Sequence, residues 1–225
     1  MDWTALGVSL RLAGLTCLIL IPLCIGAARW LACSHFPGKS IVEGMIALPL
    51  VLPPTVLGFY LLSAMGAGSA LGRAWAGVFG GPLAFSFEGV LLASLIANIP
   101  FAIQPIQRSF EAIPVELREA ASACGLSPVQ TFLKVEAPLV LPGVLTAFIL
   151  CFAHTLGEFG AVLMVGGAIP GETRTIAIAI YDRVQAFDDA GAGVMSAVLL
   201  ALSVVFMSLA YLASGMFTGA RGRAR

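Results

Sequence analysis

Long uncharged apolar runs alternate with short polar segments along the whole chain. Each of the five runs is close to or longer than the ~17–25 residues that a membrane-crossing helix needs. They cover residues 12–28, 44–72, 89–107, 137–157 and 190–220. We therefore predict an all-α polytopic membrane protein in which residues 1–225 form one transmembrane domain. Its five transmembrane helices are expected at about 8–30, 42–64, 88–107, 137–165 and 193–217.

The composition excludes a soluble globular protein. Hydrophobic residues make up 59% of the chain and charged residues 11%, with a mean hydropathy of +0.99, whereas soluble domains carry roughly 25% charged residues. The 12 Lys and Arg residues balance the 12 Asp and Glu residues, so no basic field favours nucleic acid. We expect a lipid bilayer as the environment and no nucleic-acid partner.

The basic residues predict the orientation, because short cytoplasmic loops keep an excess of Lys and Arg. With five spans, the loops on one side hold Arg29, Lys39, Arg108, Arg118, Lys134, Arg221, Arg223 and Arg225, and those on the other hold Arg11, Arg73, Arg174 and Arg183. We therefore expect the N-terminus outside, the C-terminus in the cytoplasm and the loop 108–136 on the cytoplasmic side.

The predicted cytoplasmic loop 108–136 has the pattern of two short helices joined by a glycine elbow. Pro114 suits a helix start, and Gly125 suits a left-handed helix end. Ser127 and Pro128 suit the N-cap and first residue of a second helix. We expect a rigid projection from the membrane, with an ordinary solvated loop as the alternative.

Two segments on the opposite side are expected to carry structure of their own. The Gly-rich segment 65–88 predicts an external hairpin or a short interfacial helix. Segment 173–186 is too short and too charged to cross the membrane alone, so it predicts an amphipathic or re-entrant helix.

Prolines and polar residues inside spans two and three indicate a candidate pathway. Proline frees carbonyl groups that lipid cannot satisfy, so these helices must face protein or water there. Thr55, Asn98 and Gln104 would offer weak polar contacts in such a pathway. The prolines are Pro49, Pro53, Pro54, Pro100 and Pro105. Kinks that serve only helix packing are the alternative.

His154 and Glu158 are four residues apart near the outer end of span four, and we treat them as gate candidates. A metal or catalytic pair would need a third partner, and a structural hydrogen bond or salt bridge, with Arg174 as a candidate partner, is the alternative. The five cysteines include no C-x-x-C pair and are expected to be small buried hydrophobes. We predict no metal site and no cofactor.

The segment Gly38-Lys39-Ser40 matches only the tail of a phosphate-binding loop. That motif requires a glycine five residues before Gly38, where the chain has Cys33. We expect the chain not to be an enzyme, and any ATP-driven step would need a separate subunit.

One spacing in the loop and the following span resembles a family signature. Glu119-Ala120-Ala121, then Gly125, then 135–138 (Val-Glu-Ala-Pro) resembles the EAA signature of permease subunits of binding-protein-dependent ABC importers. Val135 and Ala137 stand where the signature has Ile and Leu.

Four further segments are similar to the molybdate and sulfate permeases of that family. They are FPGKS at 36–40, LPLVLPPT at 48–55, LGEFGA at 156–161 and IPGETRT at 169–175. His154 departs from the pattern, which has an arginine at that position.

The resemblance implies the fold and partners of a type I ABC importer permease. It implies a homodimer of permease subunits, two cytoplasmic ABC ATPase subunits and a periplasmic or extracellular molybdate-binding protein, all at the inner membrane. The ATPase-coupling residues that it implies are Glu119, Ala120, Ala121, Gly125 and Pro138. The cargo would be molybdate, with tungstate as a further candidate.

Three alternatives stay open at this stage. A sulfate or thiosulfate ABC permease is the alternative most similar to a molybdate permease, because the spans contain no cluster of Arg or Lys that could distinguish one oxyanion from another. An ion-coupled secondary transporter would need ionisable residues in mid-span and often internal repeats. An intramembrane enzyme would need a nucleophile or metal constellation.

Overall fold

The computed structural model describes residues 1–222, with side chains for residues 1–208. Its described part is all helical with no strand, which confirms the predicted fold class. The helices are α1 (Trp3–Cys33), α2 (Lys39–Val51), α3 (Pro54–Met65), α4 (Ala70–Phe79), α5 (Phe87–Glu111), α6 (Val115–Ala123), α7 (Pro128–Thr131), α8 (Ala137–Gly157), α9 (Gly160–Gly166), α10 (Ile176–Gln185) and α11 (Asp189–Gly222). A π-helical turn, Phe132–Glu136, joins α7 to α8. The side chains of Arg221, Arg223 and Arg225, which entered the count of basic residues, lie outside the described residues.

Four helical stretches among the described residues are long and apolar enough to cross a membrane. They are Trp3–Cys33, Phe87–Glu111, Pro128–Gly157 and Asp189–Ser208. The pair α2 and α3 makes a fifth candidate span that is bent by 107°. The predicted count of five spans is therefore confirmed when the bent pair is taken as one span.

The predicted second span, 42–64, is broken rather than continuous. Leu52 and Pro53 have extended ψ angles of 134° and 136°, and α3 starts with Pro54. A residue that precedes proline is pushed out of the α region, and two successive prolines apply this restriction twice. The break therefore follows from local chemistry.

The predicted fourth span, 137–165, is also too long as a single helix. Helix α8 ends at Gly157, Glu158 is extended with ψ 127°, and α9 starts at Gly160. Glycine weakens a helix by about 1 kcal/mol relative to alanine, so the two flanking glycines favour an end here. A side chain at position 160 would place its Cβ 2.8 Å from Cβ of Pro54, which shows how closely the two breaks approach each other.

Helices α1, α5 and α8 form the centre of the bundle. Small residues that are 0% exposed, such as Ala28, Ala102 and Ala147, let the three helices approach closely around the largest apolar cluster. Helix α2 has no buried residue. Only 11% of the most apolar window of α11 is buried, compared with 56% in α5. The faces of α2 and α11 therefore need an apolar environment outside this subunit.

Both predicted helical segments between the spans are present. In 65–88 the structure places α4, capped at its start by Ser69, whose hydroxyl accepts from the Gly72 N–H at 2.8 Å. In 173–186 it places α10, which buries Ile176 and Ile178. The Ile176 N–H donates to Ser9 Oγ at 2.8 Å, so α10 is fixed against α1.

Candidate functional site

The loop after α5 folds as two short helices around a glycine elbow, as predicted. Helix α6 is followed by Gly125 with φ +76°, a left-handed conformation. The Ser127 hydroxyl accepts from the Gln130 N–H at 3.3 Å, and the Gln130 side chain accepts from the Ser127 N–H at 3.0 Å. This reciprocal capping box fixes the start of α7. We call residues 114–131 the α6–α7 loop.

The α6–α7 loop exposes both charged and apolar side chains. Of the three EAA residues, Glu119 and Ala120 are exposed, whereas Ala121 is 5% exposed and packs inward. Large apolar side chains beside them are also exposed, including Val115 at 57% and Val129 at 66%. Exposed apolar side chains grouped in this way are typical of an interaction surface.

Pro138 does not end or break a helix. It lies in the first turn of α8, inside the continuous helical stretch Pro128–Gly157. The preceding π-helical turn, in which the Ala137 N–H donates to the Phe132 carbonyl, absorbs the change in hydrogen-bond register before the proline.

Glu136 joins this loop to the bundle, and sequence reasoning missed it. Its carboxylate accepts from Arg29 Nε at 2.5 Å and from Arg118 Nε at 2.8 Å. The side chain is 1% exposed. Arg118 also donates through Nη2 to the Phe110 carbonyl at 3.1 Å. We call Glu136, Arg29 and Arg118 the Glu136 junction; the ends of α1 and α5, helix α6 and the start of α8 meet there.

A second polar network at the same end holds the start of α2 against the end of α5. Gln107 Nε2 donates to Glu43 at 2.7 Å and to Glu111 at 2.9 Å. Lys39 Nζ lies 3.8 Å from each of these carboxylates. Lys39 therefore has a local structural role here, in agreement with the rejection of a phosphate-binding loop at 38–40.

Asn98 is 0% exposed in the middle of α5 and makes a connected set of hydrogen bonds. Its Nδ2 donates to the Ser94 carbonyl at 2.8 Å and to Thr155 Oγ1 at 3.0 Å. Its Oδ1 lies 3.2 Å from His154 Nδ1. Asn98 is 11 residues from the start of α5, or about 16 Å along the helix. The cluster therefore lies halfway along α5 and beside the end of α8, because His154 is three residues before Gly157.

His154 and Glu158 also meet, with 3.5 Å between Nδ1 and Oε2. The Glu158 side chain is 4% exposed, and its Oε2 has no hydrogen-bond partner. Arg174, the suggested partner of Glu158, instead faces Asp182 at 3.0 Å and Asp2 at 3.8 Å. Among residues 1–208, no group of three His, Cys, Asp or Glu side chains that could hold a metal ion comes together.

A cavity of about 350 Å³ opens beside this pair, where the two helix breaks meet. Pro54 and the exposed Thr55 line it from the start of α3, and residues 157–160 line it from the α8–α9 break together with His154. Broken helices are a common way to build a polar site within a membrane. Gln104, by contrast, is exposed and lies six residues beyond Asn98, about 9 Å along α5, outside the cluster.

The chain matches a protein family over most of its length. The family of binding-protein-dependent transport system inner membrane components matches residues 21–216. The molybdenum transport system permease protein ModB of Azotobacter vinelandii is 46% identical over 85% of this chain and 84% of its own length. ModB of Escherichia coli K12 is 36% identical over 91% and 90%. The sulfate transport system permease protein CysT of the same strain is 31% identical over 77% and 62%.

Two solved structures share the fold. A bacterial ABC transporter involved in the import of the acidic polysaccharide alginate superimposes with a TM-score of 0.72, covering 96% of this chain and 78% of that chain, at 15% identity. The inward-facing MetNI methionine ABC transporter gives a TM-score of 0.68 over 96% and 94%, also at 15% identity. At this identity the likeness concerns the fold alone.

Proposed function

The chain belongs to the family of binding-protein-dependent transport system inner membrane components, and from this premise we propose that it is the permease subunit of an ATP-driven molybdate importer. It is a multi-pass protein of the inner membrane and a transport subunit. The observation that carries the cargo assignment is the 46% identity to a molybdenum permease over 85% of the chain. Sulfate permeases are more distant, at 31–33% identity.

The α6–α7 loop is the proposed contact with a cytoplasmic ATPase subunit, which hydrolyses the ATP. In this proposal the N-terminus lies outside and the C-terminus lies in the cytoplasm. Glu119 and Ala120 would face the ATPase, Ala121 would hold α6 to the bundle, Gly125 would fix the elbow and Pro138 would follow the loop into α8. The exposure of Val115, Val129 and Glu119 on one short projection supports a docked partner.

Two copies of the chain would form one pathway, each docked on one ATPase subunit. Helix α2 has no fully buried residue within one subunit, and its exposed residues include Met45 at 64% and Val51 at 78%. Apolar side chains on the broken span two are suited to packing against a second copy. Five spans, one of them bent, scarcely enclose a pathway alone.

The cavity at the two helix breaks is the proposed stretch of the pathway in each subunit. Thr55, His154 and Glu158 line it, and Asn98 orients His154 from behind. Gln104 would contact the pathway only from a separate position along α5. The described residues that line the cavity include no Lys or Arg, so a dianion would pass without being held by several charge-assisted hydrogen bonds.

High-affinity selection would therefore be made by a periplasmic or extracellular binding protein that delivers the oxyanion. Tungstate, of the same shape and charge, is a second cargo of the same machine. A sulfate or thiosulfate permease is the main alternative, and the identities favour molybdate over it. An ion-coupled secondary transporter is disfavoured by the family.

The test is the ATPase rate of the complete complex in proteoliposomes. The complex contains this chain, its ATPase and a binding protein that is loaded in turn with molybdate, tungstate or sulfate. We expect the largest stimulation with the molybdate- or tungstate-loaded protein, and little with free molybdate alone. Preferential stimulation by a sulfate-loaded protein would transfer the assignment to the sulfate group.

A further inference from the structure

The Glu136 junction brings one buried carboxylate between two guanidinium groups from remote parts of the chain. Arg29 is 107 residues from Glu136 in sequence and belongs to the end of α1. Arg118 belongs to α6, one residue before the EAA segment. The Glu136 side chain is 1% exposed, whereas those of Arg29 and Arg118 are 38% and 27% exposed. The acceptor is thus inside the protein, and the donors reach it from two directions.

Helix α6 has few other attachments to the bundle. Ala121 is its only buried residue. Arg118 is therefore its main polar link, because the same guanidinium reaches both Glu136 and the Phe110 carbonyl at the end of α5. A displacement of α6 must act on these contacts as well as on the chain connections at either end of the loop.

The π-helical turn places Glu136 at the last position before α8. A π-helical turn inserts an extra residue into the helical repeat and frequently marks functional positions. The Ala137 N–H to Phe132 carbonyl bond closes this turn directly after Glu136. The carboxylate is consequently fixed to the start of α8 while it holds α1 and α6.

A buried ion pair is not by itself evidence of stabilisation, because desolvation offsets much of the attraction. Apolar side chains could fill this position without that cost. The charged arrangement adds directional hydrogen bonds. Each of the two carboxylate oxygens of Glu136 accepts from an arginine of a different helix.

We propose that Glu136 is a positioning residue for energy coupling, which links the α6–α7 loop to α1 and α8 at once. In this proposal, which rests on the proposed importer function, movement of α6 by the ATPase is passed through Arg118 to Glu136 and from there to Arg29. Helices α1 and α8 then move as one unit with the loop. Without the Glu136 junction, the covalent connection between the α6–α7 loop and α8 would transmit the movement to α8 but not to α1.

The test compares three variants in the reconstituted complex. Arg118→Gln removes the link to α6 and leaves the pair of Arg29 and Glu136 in place. Glu136→Gln removes the charge from both ion pairs and leaves a single acceptor oxygen for the two arginines. Arg108→Gln is the matched control, because Arg108 is 81% exposed and pairs with Glu111 at the same end of the bundle. Three quantities are measured: ATPase co-purification, basal ATP hydrolysis, and molybdate transported per ATP.

We expect molybdate transported per ATP to fall by about ten-fold in Arg118→Gln and Glu136→Gln, within the range of coupling between distant sites. Glu136 lies outside the α6–α7 loop, so Glu136→Gln should also keep the ATPase bound and its basal hydrolysis. Arg108→Gln should transport as the wild type does. A purely structural role would instead lower the amount of assembled complex and leave the ratio for the surviving complexes unchanged. That outcome, or a wild-type ratio in Arg118→Gln, would overturn the proposal.

Two further controls keep the result decisive. If Glu136→Gln fails to accumulate, Arg118→Gln decides. If that also fails, Arg29→Gln decides, because it removes the link to α1 and leaves the pair of Arg118 and Glu136 in place; a wild-type ratio of molybdate per ATP in Arg29→Gln would overturn the proposal. A wild-type complex that ignores the molybdate-loaded binding protein would refute the proposed cargo instead, and the coupling ratio would then be measured with the loaded protein that does stimulate it.

Discussion

His154 Nδ1 faces Asn98 Oδ1 at 3.2 Å, and the surrounding hydrogen bonds indicate which tautomer of the imidazole ring this contact requires. The Thr155 hydroxyl donates to the Cys151 carbonyl at 2.8 Å, so its oxygen accepts from Asn98 Nδ2. The Asn98 oxygen is thereby turned to His154, whose Nδ1 must carry the hydrogen. The other ring nitrogen, Nε2, is the one left to gain a proton or to contact cargo.

Replacing Asn98 by leucine should destabilise the protein by about 1–3 kcal/mol, because the buried Ser94 carbonyl and Thr155 hydroxyl, and the partly exposed His154 ring, each lose a hydrogen bond. The matched control is Gln104→Leu on the same helix, which is exposed and should change stability by no more than about 0.5 kcal/mol. Thermal unfolding of the detergent-solubilised protein measures both. Equal effects of the two substitutions would contradict the assigned network.

Gly125→Leu should abolish transport while the protein still reaches the membrane. The obstacle is backbone conformation, because φ is +76° and an added Cβ would meet nothing within 4 Å. A left-handed conformation costs an ordinary side chain roughly 1–2 kcal/mol. Asparagine tolerates this region, so Gly125→Asn should retain most uptake. Equal loss in both variants would show that the conformation of the elbow is not the reason.

Much of this architecture could be predicted because it depends on local chemistry. The lengths of apolar runs predict the spans, and Gly125 with Ser127 and Pro128 predicts the two-helix loop. The bend at Pro53 and Pro54 follows from two successive prolines, although the hydrophobic run alone predicts a continuous second span.

The remaining features have weak local signals or depend on tertiary contacts. The glycines at 157 and 160 are the only local signal of the break at Glu158, and no proline marks it, so the run 137–165 predicts one continuous span. Arg29 entered only the count of basic residues and Glu136 only the family signature at 135–138, because their pairing requires the end of α1 to meet the start of α8. The sequence makes Arg174 a candidate partner of Glu158, but in the structure Arg174 faces Asp2 and Asp182 instead.

Gly58→Ala should loosen the packing of α3 against α9. An added Cβ would lie 2.7 Å from Cβ of Met164 and 2.9 Å from Cα of Ala161. Overpacking of this kind costs about 1–3 kcal/mol. Gly26→Ala in α1 is the control, because nothing lies within 4 Å of its added Cβ. Unfolding in detergent should show a lower midpoint only for Gly58→Ala; an unchanged midpoint would refute the close approach.

The proposed orientation predicts which side of the membrane is accessible to impermeant thiol reagents. In a background without the five native cysteines, Val129→Cys should react only in inside-out vesicles and Val78→Cys only in spheroplasts. Both side chains are well exposed, at 66% and 76%. The reverse labelling pattern would contradict the orientation that we infer from the basic residues, and the α6–α7 loop would then lie outside.

The most direct measurement of the central claim is ATP-dependent accumulation of isotopically labelled molybdate in proteoliposomes. The vesicles contain this chain and its ATPase, with ATP inside and the loaded binding protein outside. We predict that accumulation of labelled molybdate requires both ATP and the binding protein. Unlabelled tungstate should reduce this accumulation more strongly than unlabelled sulfate does. Accumulation of sulfate, an amino acid or a sugar in place of molybdate, or molybdate entry without ATP, would contradict the account.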